Sequence, residues 1–354
     1  MASSFDTKIT LVNKSRINEI DFNNLPFGKH FTDHMLVADY EDGEWKHVKI
    51  LPYQPLTFDP TIVALHYGQS IFEGIKAYKR DDGSAYIFRP QDNFKRFNTS
   101  AERMCMPSVP EEIFIGGMKK LIEIDKDWIP TVKDSSLYIR PFMFATDTII
   151  GVKPSEKYKF LILLSPSGAY YSEPMKILVE EEYTRAAPGG VGFAKNAGNY
   201  AASLIAAKKA KEKGCDQVLW TDACEHKWLQ EVGTMNVMFI VDNVAITPSL
   251  DEGTILNGVT RNSVITVLKE MNIKVEERRI NVDELIESYK QGKFQEAFGT
   301  GTAATISPIS ELKYRDFSMG FDVNSFKIAA EINKRLIEIR NGSAPDNHGW
   351  LVKI

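Results

Sequence analysis

One lysine, Lys195, stands in the stretch 189–203, GGVGFAKNAGNYAAS, with no charged residue within nine positions on either side. A lysine on a solvated face usually has charged company, as in KKAKEK at 208–213. An amine held among glycines, alanines and aromatic residues is suited to losing its proton, because burial disfavours the charged form. A neutral amine can then form a Schiff base with a carbonyl. Tyr200, five residues on, adds an aromatic hydroxyl. Spacing alone favours a plain surface lysine in a glycine-rich loop, so the weight falls on what else the chain carries.

Four further features bear on that chemistry. LNGVTR puts a glycine and then Val259 and Thr260 at an expected helix start, where free N–H groups and the positive end of the helix dipole suit a phosphate. GTGTAAT at 299–305 offers small residues and hydroxyls whose backbone can close on an anion, or simply turns the chain between strands. Glu231, in WLQEVGTMN, heads an apolar strand; it is either a solvated strand end or a partner for a cationic ring nitrogen. Arg96 in NFKRFN and Arg140 in LYIRPF lie in mostly apolar settings, and a buried arginine needs an anion. Arg96 could pair with a nearby acid, whereas Arg140, among Leu137, Ile139 and Phe142, has no charged neighbour in sequence.

These residues need elements to position them. Residues 31–40 and 45–51 read as strands around an Asp42-Gly43 turn. The segment LHYGQSIFEGIKAYK leads into a further strand, and AYIFRP follows the Asp82-Gly83 turn. Phe94, Phe97, Ala101 and Met104 fit a helix over 92–104 with Asp92 as its N-cap, and 111–125 repeats the pattern. SSLYIRPFMFAT and KYKFLILLSP read as strands, and SPSGAYYSEP is the linker candidate. Beyond it come the strand MKILVEEEYTR, a helix stopped by Gly214, the strand DQVLWTDA, a hairpin over EVGTMNVMFIVDN and VAITPS, and a helix from about Val259. A helix over 282–289, the strand-like EAFGTGTAATISPI and a last helix over 325–340 complete the order. The pattern is mixed α/β in two domains: 1–168, smaller, then a linker at 169–175, then 176–354, larger and carrying the lysine.

Composition narrows the function. The 354 residues suffice for two domains with cores of their own. A net charge of -4 gives no basic face for nucleic acid. The start, MASSFDTKIT, has no apolar signal region, and no run approaches the roughly 20 apolar residues of a membrane span. Cys105, Cys215 and Cys224 read as reduced thiols, which points to the cytoplasm. The histidines offer no metal spacing, since His30 and His34 fall on an expected strand.

FGKHFTDHM, LHYGQSIFEGIKAY, FRPQDNFKRF, SLYIRP, GVGFAKNAGNY, EVGTMN, GVTR and FGTGTAA together resemble, in order and spacing, the branched-chain-amino-acid aminotransferases of the fold-type IV pyridoxal-phosphate class, whose fold is that of D-amino-acid aminotransferase. The resemblance runs from about residue 27 past 305. It implies that pyridoxal 5'-phosphate is the cofactor, that Lys195 binds its aldehyde and shuttles the substrate's α-proton, that Tyr200 bonds the ring hydroxyl and that Glu231 holds the ring nitrogen protonated. It implies a phosphate cup of Arg96, Val259, Thr260 and Thr302. Thr302, Ala303, Tyr138 and Arg140 match the region of the substrate carboxylate. Phe27, Phe72, Tyr170 and Thr234 match the pocket wall, while Tyr67 and Val152 match residues reaching in from a second subunit, which implies a homodimer.

The implied substrates are leucine, isoleucine and valine with 2-oxoglutarate, used in ping-pong half-reactions. An aromatic and aliphatic wall suits side chains with no polar group to satisfy. D-amino-acid aminotransferase and aminodeoxychorismate lyase share the lysine and the glutamate, but the long N-terminal portion and the Tyr138/Arg140 pair favour the branched-chain enzymes. A non-catalytic carrier of the cofactor would be expected to lose one of the two residues. Some mammalian members carry a CxxC pair where this chain has Ala304 and Ser307, so no thiol switch is expected there.

Overall fold

The computed structural model describes residues 7–168, 173–303 and 305–354. The chain forms two compact units. The first comprises residues up to 170, Ala194–Gly198 and Ile339–Ile354; the second comprises the stretch up to Phe193 and Asn199–Glu338. The units therefore do not follow one cut in the chain. The short segment with Lys195 and the C-terminal tail both group with the first unit.

The first unit is built on a nine-stranded sheet in the order Lys8–Ile9, Glu44–Pro52, His34–Glu41, Tyr158–Ser167, Ser136–Ala145, Ile75–Lys79, Ala85–Phe88, Leu351–Lys353, with Ser70–Phe72 also on Ser136–Ala145. All its pairings but the first are antiparallel. Strand Ser136–Ala145 shows why the sheet can carry a site. Alternate side chains point to opposite faces, and Leu137, Ile139, Met143 and Ala145 are fully buried in the core. Tyr138, Arg140 and Phe142 occupy the other face, on which Arg140 and Phe142 are only half-buried.

Helix Pro90–Arg103 covers the core face. Its buried positions Asn93, Phe97, Ser100 and Ala101 recur at helical spacing. Phe97 packs on Phe114 at 5.2 Å and Phe160 at 5.6 Å between ring centroids, a burial that contributes about 2 kcal/mol. The expected N-cap, Asp92, is displaced. The helix starts two residues earlier, with Pro90 at its first position and Arg89 before it in a left-handed conformation, because proline supplies a helical φ and needs no N–H there. The segment LHYGQSIFEGIKAYK, expected to lead into a further strand, is a short helix, Val63–Tyr67, closed by Gly68 at φ 66°, and then two strands.

The second unit has its own nine-stranded sheet: Leu229–Val232, Gln217–Thr221, Met175–Val179, Thr305–Tyr314, Phe294–Gly301, Asn236–Val241, Val244–Thr247, Val275–Glu277, with Phe317–Gly320 on Thr305–Tyr314. Its directions are mixed, Met175–Val179 running parallel to both neighbours. Strand Asn236–Val241 is buried along almost its whole length, and its continuous apolar run is what a central strand covered on both faces requires. The stretch EAFGTGTAATISPI is not one strand. It is a hairpin, with Thr302 and Ala303 between Phe294–Gly301 and Thr305–Tyr314. The last helix begins at Ile328 rather than 325, because the Glu296 carboxylate accepts from the amides of Lys327, Ile328 and Ala329 and so fixes its first turn. Among the described residues no helix is long and apolar enough to cross a membrane.

Candidate active site

In the first unit, five of the residues singled out in the sequence meet. The Lys195 amide donates to Ser100 Oγ at 2.9 Å, and its carbonyl accepts from the Phe72 amide at 3.0 Å. The main chain around the lysine is thus tied to a helix on one side and a strand on the other. Lys195 Nζ lies 4.8 Å from the centroid of the Phe72 ring, and the Arg140 guanidinium lies 4.7 Å from the same ring. An aromatic face attracts a cation, so Phe72 holds both groups without neutralising either. Tyr138 Oη accepts from Arg140 Nη2 at 2.9 Å, and Phe27 meets the Tyr138 ring edge-on at 4.8 Å.

Gly74 keeps space for that arrangement. A Cβ there would stand 2.3 Å from Tyr138 Oη, closer than any real contact allows. Among the described residues, the buried Arg140 Nε has no hydrogen-bond partner. A buried guanidinium N–H without an acceptor is costly, and it suits an anionic group arriving beside it.

Arg96 is drawn to an acid. Its Nε and Nη2 donate to the two oxygens of Glu73 at 2.7 and 2.8 Å. Glu73 is fully buried and also accepts from Asn93 Nδ2 at 2.7 Å and the Gly74 amide at 3.1 Å. Burial pushes the Glu73 carboxyl up, but the charge and hydrogen bonds of Arg96, the charge of Lys195 and the Asn93 bond together hold it below its ordinary value.

In the second unit, Glu231 is buried and its Oε2 lies 2.7 Å from Arg185 Nε. Its Oε1 accepts from the Leu256 amide at 3.0 Å and from Asn236 Nδ2 at 3.2 Å. Asn236 also donates to the Leu256 carbonyl at 2.9 Å, and a Cβ on Gly258 would fall 1.9 Å from Asn236 Oδ1. Only glycine fits at 258. Gly258 leads helix Val259–Glu270 with no side-chain cap, and Val259 and Thr260 are buried in its first turn. The carboxylate and the helix start are therefore held by one asparagine. Tyr200 and Thr234 line a small cleft with Arg185, Asn199, Ser203 and Gly233.

Gly299 and Gly301 have a packing reason. A Cβ on either would come within 2.8 or 3.1 Å of the Met235 side chain. Thr302 and Ala303 are half-buried at the hairpin bend. Tyr67 and Val152 are 41% and 87% exposed in the single chain. Tyr170 lies outside the described residues, as does Ala304.

Sequence reading passed over Glu73, Asn93, Ser100, Arg185 and Asn236. The spacing of Asn93, Arg96 and Ser100, three and four residues apart on a helix, puts them on one face and was the available signal. Arg185 carried none.

In the first unit a lysine amine beside an aromatic ring suits an aldehyde; in the second, a buried carboxylate suits a basic ring nitrogen and a glycine-led helix start suits a phosphate. The family model for amino-transferase class IV matches residues 70–312. A Staphylococcus aureus (strain N315) relative, named a probable branched-chain-amino-acid aminotransferase, is 50% identical over 93% of this chain and 93% of its own. Branched-chain-amino-acid aminotransferase 2 of Bacillus subtilis (strain 168) is 48% identical over 94% and 93%. The T.th. branched-chain amino acid aminotransferase solved with N-(5'-phosphopyridoxyl)-L-glutamate superposes with a TM-score of 0.72 at 26% identity, covering 89% of this chain and 97% of that one. The chain belongs to the class IV aminotransferases and, within them, to the branched-chain-amino-acid aminotransferases.

Proposed function

We propose the following division of labour for the transfer of an amino group between leucine, isoleucine or valine and 2-oxoglutarate, with pyridoxal 5'-phosphate as cofactor. The cofactor, when bound, supplies the aldehyde and the electron-withdrawing ring. Lys195 contributes the amine that binds the aldehyde and then carries the proton to and from the substrate α-carbon. Glu231, aimed by Arg185, Asn236 and the Leu256 amide, holds a proton on the ring nitrogen. Tyr200 donates to the ring hydroxyl. Val259 and Thr260, with Thr302 and Arg96, take the phosphate.

Arg140 and Tyr138, with Thr302 and Ala303, receive a substrate carboxylate. Phe27, Phe72, Tyr170 and Thr234 offer an apolar wall to the branched side chain. Tyr67 and Val152, exposed in one chain, complete the pocket of a second copy in a homodimer; sedimentation showing a monomer at working concentration would remove them from it. The setting of the reaction is the cytoplasm.

The observation that best supports this reading is the meeting of Phe27, Phe72, Tyr138, Arg140 and Lys195, which are scattered over 169 positions of sequence. The test is a substrate panel with 2-oxoglutarate as acceptor, run on the wild type and on Lys195→Ala. The wild type should turn over the three branched L-amino acids with parallel initial-velocity lines, and the variant should lose at least about a thousandfold in kcat. Borohydride should fix the cofactor to the peptide containing Lys195. Turnover of D-alanine in place of L-leucine, or attachment to another lysine, would overturn the assignment.

A further inference from the structure

We propose that Glu73 is a positioning residue for amino transfer: its buried carboxylate sets the orientation of Arg96 and the charge felt at Lys195. Nothing in the motif-based roles assigns it one. The inference rests on the reading of Lys195 as the reactive amine.

Helix Pro90–Arg103 carries three polar residues toward this region. Asn93, Arg96 and Ser100 lie three and then four residues apart, so they share the face turned to the core. Two of them hold Glu73: Asn93 through one bond of 2.7 Å and Arg96 through two, of 2.7 and 2.8 Å. The third, Ser100, accepts from the Lys195 amide at 2.9 Å. Phe72, the neighbour of Glu73, donates its own amide to the Lys195 carbonyl at 3.0 Å and sets its ring 4.8 Å from Lys195 Nζ. One helix face therefore locks the acid, and the same face and the same strand end lock the lysine.

A purely structural carboxylate in a core is a poor choice. Replacing a buried ion pair by apolar residues of like volume is often neutral or stabilising. An acid with 0% exposure needs both its oxygens on one arginine, with an amide and an asparagine besides, to offset the loss of water. What it supplies in return is a fixed negative charge inside a region of low dielectric, where charges act over longer distances than in water. The groups acting on Glu73 are Arg96 and Asn93 from the helix and Lys195 through its charge. Two of them carry positive charge, and the Glu73 carboxylate is set between them. Lys195 figures among the charges that hold the Glu73 carboxyl down, so the two charges act on one another.

The consequence has a sign. With Glu73 neutralised, the Arg96 guanidinium loses the carboxylate that orients it, and a cationic nitrogen bonded to the cofactor at Lys195 loses an attractive charge. The pH at which the visible band of the Lys195-bound cofactor changes should then fall.

The experiment uses the cofactor-loaded enzyme and three variants, Glu73→Gln, Glu73→Asp and Lys195→Ala. Glu73→Gln should lower the spectroscopic pH midpoint by about one unit or more, weaken retention of the cofactor on dialysis severalfold and cut kcat with little change in KM for the amino acid. Glu73→Asp keeps the charge and loses reach. It should keep the midpoint near that of the wild type while still retaining the cofactor less well, and it carries the same test should the Gln variant not fold. Unchanged midpoint and retention in Glu73→Gln, or a midpoint shifted as much in Glu73→Asp as in Glu73→Gln, would overturn the proposal. If Lys195→Ala keeps the visible band, the reading of the lysine fails instead, and the two failures are told apart.

Discussion

Among the described residues, each compact unit holds an arginine on a buried glutamate, and the two pairs use the arginine differently. In the first unit, Arg96 gives both Nε and Nη2 to one carboxylate. In the second, Arg185 gives Nε to Glu231, while its Nη groups reach the Gly192 carbonyl at 3.3 Å and the Thr254 carbonyl at 2.9 Å. Arg96 is thus bound to a charge, whereas Arg185 also ties loop backbone to the acid. The carboxylates differ to match. Glu73 draws on a helix face, and Glu231 draws on the Leu256 amide and on Asn236, which also shapes the start of helix Val259–Glu270. Equal distances of 2.7 Å in the two ion pairs therefore do not imply equal roles.

The sharpest way to break the comparison is to remove both charges from each pair. Replacing Arg185 and Glu231 together by methionine leaves the Gly192 and Thr254 carbonyls, the Leu256 amide and Asn236 short of partners. This should cost about 4 kcal/mol, read from urea unfolding. Replacing Arg96 and Glu73 in the same way strands the Gly74 amide and Asn93 but no main-chain carbonyl that Arg96 is seen to hold among the described residues, and should cost less, about 2 kcal/mol. Equal losses in the two double variants would show that Arg185 is not holding backbone.

Acid provides a smaller and more selective probe. The Glu73 carboxyl is held below its ordinary value of 4.5 in the folded protein. Its contribution is therefore complete above that value and is lost as pH falls through the lower, folded one, since the unfolded chain takes up the proton first. The urea midpoint of the wild type should fall between pH 5 and the onset of acid unfolding, and Glu73→Gln should flatten that limb. A variant that follows the wild-type slope would mean that other carboxylates govern it.

Much of the candidate site was legible beforehand because it lay in local departures from pattern. Lys195 stood out for its lack of charged neighbours, and Arg140 for its place in an apolar strand. Strand alternation then put Tyr138 and Arg140 on one face, as it had to. Other readings failed where a neighbour distant in sequence decided. Asp92 has the right chemistry for a cap, but Pro90 starts the helix first. The last helix starts where Glu296 receives its amides, 31 to 33 residues earlier in the chain. Arg96 was open to pairing with some acid, yet Asp92 and Glu102 were nearer in sequence than the one it took.

The sequence by itself determined which side chains were available and which face of each element they would share, because both follow from residue type and a period of two or 3.6. Only the tertiary structure decided the partners: Glu73 for Arg96, 23 positions away, and Glu231 for Arg185, 46 positions away. Pairing energy depends on separation in space and on how little water lies between the charges, and neither quantity is written along the chain.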